Sequence, residues 1–287
     1  MTVTTEARTM KITKLSPHIG AEVTGIDLRQ PLDAETRRRL NEAVVDNICL
    51  VVRDQHFTAE QFLEAVKLFG EPMPQNNPQF SVPGLPEVNR LSNRNADKTG
   101  KRIKVGMKWH TDHTNHIYPP KYTVLYALEL PDSGGNTNVV NMRAGYESLP
   151  ADMKKRLEGM KTVNVRLGSA VKDTYNTNSI LAQAELQPVP VLQPLVRTNG
   201  DNGTKAIYCH PNKTENIVGM SPEDSQALLA DLVERTVRPE FIYSHAWKLG
   251  DMFLWDNRSS MHKASFDYDQ NQHRLMYRAL VKGELPA

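Results

Sequence analysis

The sequence predicts a mainly β fold with flanking helices, of the β-sandwich or jelly-roll class. Strand-like segments are short and recur along most of the chain, turn-forming residues separate them, and the clearest helical patterns lie near the start. Many short strands between turn signals are typical of sandwiches and barrels. No linker, internal repeat or low-complexity segment divides the 287 residues, so we expect one domain over residues 1–287.

The first part of the chain predicts the helical side of this fold. The predicted elements are, in order, a hairpin over residues 10–28, a helix over 34–46, a buried strand over 48–52 and a second helix over 58–70. Asp33 is a typical N-cap for the first helix, Thr58 begins the second, and Gly70 ends it. We expect these helices, at about residues 34–70, to buttress one face of the sheet.

The rest of the chain predicts strands with two further helices. The predicted elements are a loop over residues 72–86, a basic loop over 98–108, a strand over 122–130, a helix over 148–159 and a helix over 222–235. Pro131 ends the strand, and Ser221 is placed to cap the last helix. Residues 168–193 show no clear period and are interpreted as an insertion or lid.

Composition narrows the class of protein. Charged residues make up 24% and apolar residues 39% of the chain, and the formal net charge is +2, with no basic run of the kind that binds nucleic acid. Cys49 and Cys209 lie far apart, which favours a reduced setting. The longest apolar run, residues 48–52, is too short to span a membrane. We expect a soluble cytoplasmic protein, a homo-oligomer, with no nucleic-acid or membrane partner.

The segment WHTD at residues 109–112 carries the main chemical signal. If it lies on a β-strand, His110 and Asp112 point to the same side, whereas Thr111 points to the other. His262 supplies a remote second imidazole. Two imidazoles and one carboxylate on one face, with the other coordination positions open, form the ligand set of a mononuclear non-haem Fe(II) site.

Two arginines near the end of the chain predict anion binding. Arg274 and Arg278 are four residues apart on an apolar segment, so a strand would point both into one cavity. A guanidinium stays charged and binds carboxylates bidentately. One anion is then a cosubstrate, and the other is the primary substrate. The alternative for Arg278 is a structural ion pair with Glu284.

Ordered motifs resemble one known family over nearly the whole chain. They are GAEVTGIDL at residues 20–28, WHTD at 109–112, PDSGGNT at 131–137, GDMFLWDNR at 250–258, His262, and HRLMYR at 273–278. Together they resemble the taurine and dichlorophenoxyacetate dioxygenase family of Fe(II)- and 2-oxoglutarate-dependent oxygenases. The resemblance implies a double-stranded β-helix, a distorted, cupin-like jelly roll. It also implies that His110, Asp112 and His262 are the catalytic iron ligands.

The same resemblance implies how the small molecules bind. Thr137 and Arg274 correspond to the pair that holds the distal carboxylate of 2-oxoglutarate, and Arg278 corresponds to the arginine facing the anionic group of the primary substrate. The implied reaction consumes O2, converts 2-oxoglutarate to succinate and CO2, and hydroxylates the substrate. Hydroxylation cleaves the substrate if the carbon carries an ether or sulfonate. Because Asp112 is present, hydroxylation or desaturation is favoured over halogenation.

Departures from the family pattern bear on the substrate. Val105 and Gly106 stand where the taurine enzymes place an acidic and an amide residue for the substrate ammonium, and the stretch 193–200 lacks both histidines of the family pattern. The family's histidine after the second helix is also absent, and residues such as Gln75 follow instead. An amine substrate such as taurine is therefore disfavoured. An aryloxyalkanoate, an alkyl sulfonate or sulfate ester, or another carboxylic acid fits this pattern.

Three alternatives stay open at this point. A metal-dependent lyase or isomerase on the same barrel would not need two inward arginines. A non-catalytic barrel that binds a small molecule should have lost at least one ligand. A zinc site that includes His113 and His116 would need His113 to face His110 and Asp112, which a strand does not allow.

Overall fold

The fold is built from two packed β-sheets with helices on their outer faces. The computed structural model describes residues 9–75, 77–97, 99–165 and 190–287. The strands are β1 (Lys11–Lys14), β2 (Ala21–Thr24), β3 (Cys49–Val52), β4 (Pro72–Met73), β5 (Ser81–Val82), β6 (Leu85–Ser92), β7 (Pro120–Glu129), β8 (Thr137–Asn141), β9 (Lys161–Asn164), β10 (Val191–Pro194), β11 (Val196–Thr198), β12 (Lys205–Ile207), β13 (Thr214–Ile217), β14 (Ile242–His245), β15 (Met252–Asp256), β16 (Ser260–Ala264) and β17 (Leu275–Lys282). The helices are α1 (Ala34–Asn47), α2 (Ala59–Lys67), α3 (Met142–Glu147), α4 (Ala151–Leu157) and α5 (Pro222–Thr236).

The larger sheet carries nine strands, with the order β1-β2-β3-β15-β7-β17-β6-β5 and with β4 paired to β17. Its pairs are antiparallel except β2 and β3, which run parallel. A smaller antiparallel sheet has the order β14-β8-β16. Two further small sheets contain β10-β9-β13 and β11-β12. The predicted mainly β jelly-roll architecture is confirmed.

The central strands β3 and β15 of the larger sheet are buried on both faces. Along β15, Met252 and Leu254 pack into the cluster that contains the residues of α1 and α2, whereas Phe253 and Trp255 pack with Val139 of the smaller sheet. The side-chain period of two therefore sends alternate residues to the helices and to the space between the sheets. The site described below lies in the space between the two sheets.

The two N-terminal helices begin and end close to the predicted residues. The Asp33 side chain accepts a hydrogen bond from the Thr36 backbone N–H at 2.6 Å and caps α1. Thr58 and Gln61 form a capping box at the start of α2. Both caps satisfy backbone N–H groups that have no partner within the helix. α1 and α2 lie against the larger sheet, with Leu40 and Phe62 fully buried in the shared core.

The predicted helix over 148–159 is confirmed as the shorter α4, and α3, which was not predicted, precedes it. α3 begins earlier, where the Asn141 side chain accepts a hydrogen bond from the Ala144 backbone N–H at 2.9 Å. Pro150 then ends any continuous helix, because proline has no N–H and disfavours a helical residue before it. α4 starts directly after Pro150.

Other expectations on loops need correction. The predicted loop over 72–86 contains β4, β5 and the start of β6. Of the predicted insertion over 168–193, residues 168–189 lie outside the described part of the chain, and residues 191–193 belong to β10. None of the described helices is long and apolar enough to cross a membrane. The single-domain expectation stays a prediction.

Candidate active site

Three side chains with metal-binding atoms meet between the two sheets. The ligand atoms of His110, Asp112 and His262 lie within 4.8 Å of one another, and this is the one such group of three in the described part of the chain. The two histidines exchange a pair of backbone hydrogen bonds of 3.0 and 2.7 Å, as directly opposite residues do in an antiparallel bridge. That bridge brings together residues that are far apart in the sequence.

The prediction that His110 and Asp112 share a strand is wrong. His110 forms only an isolated bridge to His262, and Asp112 lies in the turn that follows. The cause is local, because His113 adopts a positive φ of 50°, which turns the chain directly after Asp112. The two ligands still converge on one point. On the other strand, the period of two does hold, since Met261 packs against the outer helices and His262 faces inward.

Both imidazoles are in the form that a metal requires. The Nδ1–H of His110 donates to the Lys108 carbonyl at 2.7 Å, which leaves the Nε2 lone pair available. Burial lowers the pKa of His110, and it lowers the pKa of His262 further, with the nearby His110 adding to the effect. Near pH 7 both rings are therefore neutral, and neutral imidazole is the ligand form.

The Asp112 carboxylate is ionised and held at one oxygen. Its Oδ2 accepts hydrogen bonds from Thr123 Oγ1 at 2.6 Å and from Arg278 Nη2 at 2.8 Å. Burial alone would raise the pKa of Asp112, but the positive charge of the Arg278 guanidinium outweighs it and holds the pKa well below its usual range. Oδ2 also lies 3.9 Å from His262 Nε2, so the carboxylate faces the second imidazole.

Arg274 is a buried guanidinium with an unsatisfied donor. Its Nε donates to the Gly135 carbonyl at 3.1 Å, while Nη2 is buried without a partner among the described residues. Gly135 permits this approach, because a Cβ there would lie 3.2 Å from Arg274 Nε and φ is +70°. Burial lowers the pKa of Arg274 to about 10, so the group stays charged near pH 7. A buried cation with an unused N–H is suited to an anionic ligand.

Thr137 lies beside Arg274 in the same cavity. Its hydroxyl oxygen accepts a hydrogen bond from Trp247 Nε1 at 3.1 Å. A hydroxyl that accepts one bond still has its own hydrogen to donate. Thr137 therefore offers a second donor next to Arg274.

Arg278 lines the cavity, and its guanidinium donates hydrogen bonds to two side chains. Besides the bond to Asp112, its Nη1 donates to Gln75 Oε1 at 2.8 Å. The alternative ion pair between Arg278 and Glu284 is wrong, because the Glu284 carboxylate lies 2.8 Å from Arg197 instead. The two arginines share a cavity even though β17 has a register irregularity beside its first residue.

Polar and apolar side chains both line the cavity. Its volume is about 290 Å³. The lining includes the three metal-binding side chains, Thr137 and the two arginines, together with the apolar residues Phe80, Leu91, Ile103, Val105, Leu125, Trp255 and Ala264. The Trp255 ring lies 4.6 Å from the His262 ring and covers one side of the histidine. Small binding sites commonly combine an apolar lining with a few polar groups in this way.

Comparison with known proteins decides the family. The model of the taurine catabolism dioxygenase TauD, TfdA family matches residues 11–280. The chain belongs to this family. The (S)-phenoxypropionate/alpha-ketoglutarate-dioxygenase of Sphingobium herbicidovorans is 32% identical over 95% of both chains. An alkylsulfatase of Acinetobacter baylyi is 30% identical over 96% of this chain and 86% of its own.

Solved structures of the same TauD/TfdA type share the fold. The crystal structure of AAD-2 in complex with Mn(II) and N-oxalylglycine matches with a TM-score of 0.81 and 32% identity, over 97% of this chain and 99% of that one. A taurine dioxygenase from Burkholderia xenovorans matches with a TM-score of 0.80 and 31% identity, over 97% of this chain and 91% of the other.

Within this TauD/TfdA member, some departures from the family pattern have structural explanations. Gln193 stands where the family pattern has a histidine, and its Nε2 donates to the carbonyls of Thr114 and His116 at 2.9 and 2.8 Å. It therefore supports the chain that follows Asp112. Val105 and Gly106, in place of an acidic and an amide residue, line the cavity next to His110 and offer no partner for an ammonium group.

Proposed function

We propose that this protein is an Fe(II)- and 2-oxoglutarate-dependent dioxygenase that hydroxylates a small anionic organic substrate. One observation carries the proposal: a His-Asp-His group and two cavity arginines, one of them with an unused buried donor, face the same space. A lyase or isomerase has no use for the second anion site. A non-catalytic barrel should lack a ligand, and all three are present.

The residues present fit Fe(II). Two neutral imidazoles and one ionised carboxylate are the donor set that non-haem iron oxygenases use, and they leave coordination positions open. We assign His110, Asp112 and His262 as the ligands. When bound, the iron supplies O2 activation coupled to decarboxylation, so that substrate C–H, 2-oxoglutarate and O2 become substrate C–OH, succinate and CO2.

The residues present also fit 2-oxoglutarate. Arg274 offers its unused Nη2 donor and Thr137 its hydroxyl hydrogen, which together suit one carboxylate. We assign this pair to the distal carboxylate of the cosubstrate. The similar AAD-2 structure was solved with N-oxalylglycine, a dicarboxylate of the same length as 2-oxoglutarate.

The primary substrate is proposed to carry a carboxylate, sulfate or sulfonate on an apolar body. Arg278 retains N–H groups beyond those used by Asp112 and Gln75, and apolar side chains line part of the same cavity. Relatives are dioxygenases of 2,4-dichlorophenoxyacetate and (S)-phenoxypropionate, and an alkylsulfatase. If the hydroxylated carbon carries an ether or ester oxygen, the product collapses and that bond is cleaved.

The setting is proposed to be the reducing cytoplasm. Cys49 and Cys209 are both free and buried, as is usual for thiols in a reduced compartment. Burial raises the pKa of the Cys49 and Cys209 thiols, so neither is a reactive thiolate. Assembly into a homo-oligomer stays a prediction.

A substrate panel tests the function. Succinate release is measured with Fe(II), 2-oxoglutarate and ascorbate, using aryloxyalkanoates, alkyl sulfates and alkyl sulfonates, each beside its uncharged amide or alcohol analogue. We expect the acids to stimulate succinate release at least ~10-fold more than their neutral analogues, because the neutral analogues leave Arg278 without an anion. Equal stimulation by acid and neutral analogue would contradict the assignment of Arg278.

Replacing Arg278 with Ala is expected to raise the KM for an anionic substrate strongly and to lower metal affinity only weakly. The KM for an anionic substrate should rise roughly 30-fold or more, because a desolvated charge partner is lost at a cost of about 2–5 kcal/mol. Metal affinity should fall by less, since Thr123 still donates to the same Asp112 oxygen. Substrate-dependent kinetics and Mn(II) titration measure the two effects. An unchanged KM would mean that another residue holds the substrate anion.

A further inference from the structure

Behind the Asp112 carboxylate lies a buried chain of polar side chains. Thr123 Oγ1 donates to Asp112 Oδ2 at 2.6 Å, and Asn257 Nδ2 donates to Thr123 Oγ1 at 2.8 Å. Thr111 Oγ1 donates to the Asn257 carbonyl at 2.8 Å. Thr111 and Thr123 are each 1% exposed and Asn257 is 0% exposed. Thr123 also lines the cavity, and none of these residues belongs to the group of three metal-binding side chains.

The direction of these hydrogen bonds is determined by the carboxylate. An ionised carboxylate only accepts, so the single hydrogen of the Thr123 hydroxyl must point to Asp112. The Thr123 oxygen then needs a donor, which is the Asn257 amide NH2 group. The opposite amide orientation would leave the NH2 group without this acceptor and would draw the Thr123 hydrogen away from Asp112. The chain of donors therefore runs in one direction, from Asn257 to Thr123 to Asp112.

Both residues are held by rigid parts of the fold. Thr123 lies on β7, where it pairs with Trp255 of β15 on one side and Leu280 of β17 on the other. The Asn257 backbone N–H donates to the Lys121 carbonyl at 2.9 Å, and its own carbonyl is held by Thr111. A donor on a central strand cannot move with the turn that carries Asp112. The Thr123 hydroxyl can therefore hold the Asp112 carboxylate in one position relative to the larger sheet.

We propose that Thr123, with Asn257 behind it, is a positioning residue for the carboxylate ligand. Thr123 and Arg278 both donate to Oδ2, the carboxylate oxygen that lies 3.9 Å from His262 Nε2, and so fix the carboxylate relative to that imidazole. The inference rests on the proposed function only in that Asp112 is taken as a metal ligand. Outer partners of this type contribute roughly 10- to 100-fold to metal affinity.

The test is the dissociation constant for Mn(II), measured on the purified full-length protein by the loss of the free-ion EPR signal. Thr123→Val keeps the side-chain shape and removes the hydroxyl, and should weaken Mn(II) binding about 10- to 100-fold. Thr123→Ser restores the hydroxyl and should bind within about 3-fold of the wild type. A purely structural role of Thr123 would not give rescue of metal affinity by Ser.

Thr162→Val is the matched control. Thr162 is also fully buried on a strand and accepts a hydrogen bond from an asparagine, Asn164 Nδ2, at 2.9 Å, but it contacts no metal-binding side chain. Its replacement should leave Mn(II) affinity unchanged. If Thr123→Val fails to fold, Asn257→Ala decides, because it removes the donor behind Thr123 and should weaken Mn(II) binding several-fold.

The outcomes separate this inference from the proposed function. If the wild type binds Mn(II), His262→Ala does not, and Thr123→Val binds as tightly as the wild type, the positioning role is wrong and the metal site stands. If Thr123→Val does not fold, a folded Asn257→Ala variant that binds Mn(II) as tightly as the wild type would likewise show that the positioning role is wrong and that the metal site stands. If the wild type itself binds no Mn(II), both the metal site and the positioning role are wrong.

Discussion

Replacing His262 with Ala is expected to abolish Fe(II) binding and, with it, succinate formation. The variant keeps His110 and Asp112 but lacks the imidazole that lies opposite His110 in the isolated bridge. With two protein ligands instead of three, we expect the affinity for Fe(II) to fall below the range that the titration detects. The measurement is an anaerobic Fe(II) titration of the purified variant, followed by a succinate assay with excess iron.

His210 provides the matched control for this change. It is a buried histidine whose ring lies 5.6 Å from that of His110, but it is outside the group of three. His210→Ala should still bind one Fe(II) per chain. Iron binding that persists in His262→Ala, or that disappears equally in both variants, would contradict the ligand assignment.

Replacing Arg274 with Ala is expected to weaken 2-oxoglutarate binding by about 2–5 kcal/mol, or roughly 30- to a few thousand-fold in Kd. The cosubstrate carboxylate then enters a dry pocket without its charged partner. Metal affinity should stay unchanged, because no hydrogen bond joins Arg274 to the three metal-binding side chains in the described structure. Direct calorimetric titration of 2-oxoglutarate into the Mn(II)-loaded wild type and variant measures the effect.

Arg274→Lys separates the charge from the geometry. Lysine keeps a positive charge but cannot donate from two sites in one plane, so we expect an intermediate affinity for 2-oxoglutarate. An Arg274→Ala variant whose affinity changes by less than about 3-fold would show that another residue holds the distal carboxylate.

The residue types at the site could be predicted from the sequence, because the chemistry restricts them strongly. Only a few side chains bind Fe(II), and only arginine holds a buried carboxylate in two places. The side-chain period of two holds on β16, where Met261 and His262 lie on opposite faces. It failed at Asp112, because the positive φ of His113 is not visible in the sequence pattern.

Thr123 and Gln75, which hydrogen-bond to Asp112 and Arg278, were not predicted, for two different reasons. Thr123 is a polar residue inside the apolar run of β7, and that mismatch was a signal that sequence reasoning passed over. Gln75 lies between β4 and β5 and reaches Arg278 only through the pairing of β17 with β6 and β4. A contact between residues so far apart in sequence depends on the tertiary fold. No local pattern indicates it.

The most direct test of the iron and 2-oxoglutarate assignment is an anaerobic titration of Fe(II) into the protein with 2-oxoglutarate, followed by visible absorption. Iron chelated by 2-oxoglutarate absorbs in the visible range, whereas neither component does so alone. We predict a band that needs both components, saturates at one Fe(II) per chain, and is absent in His262→Ala. A folded wild-type protein that gives no band, or a His262→Ala variant that gives the full band, would contradict the account.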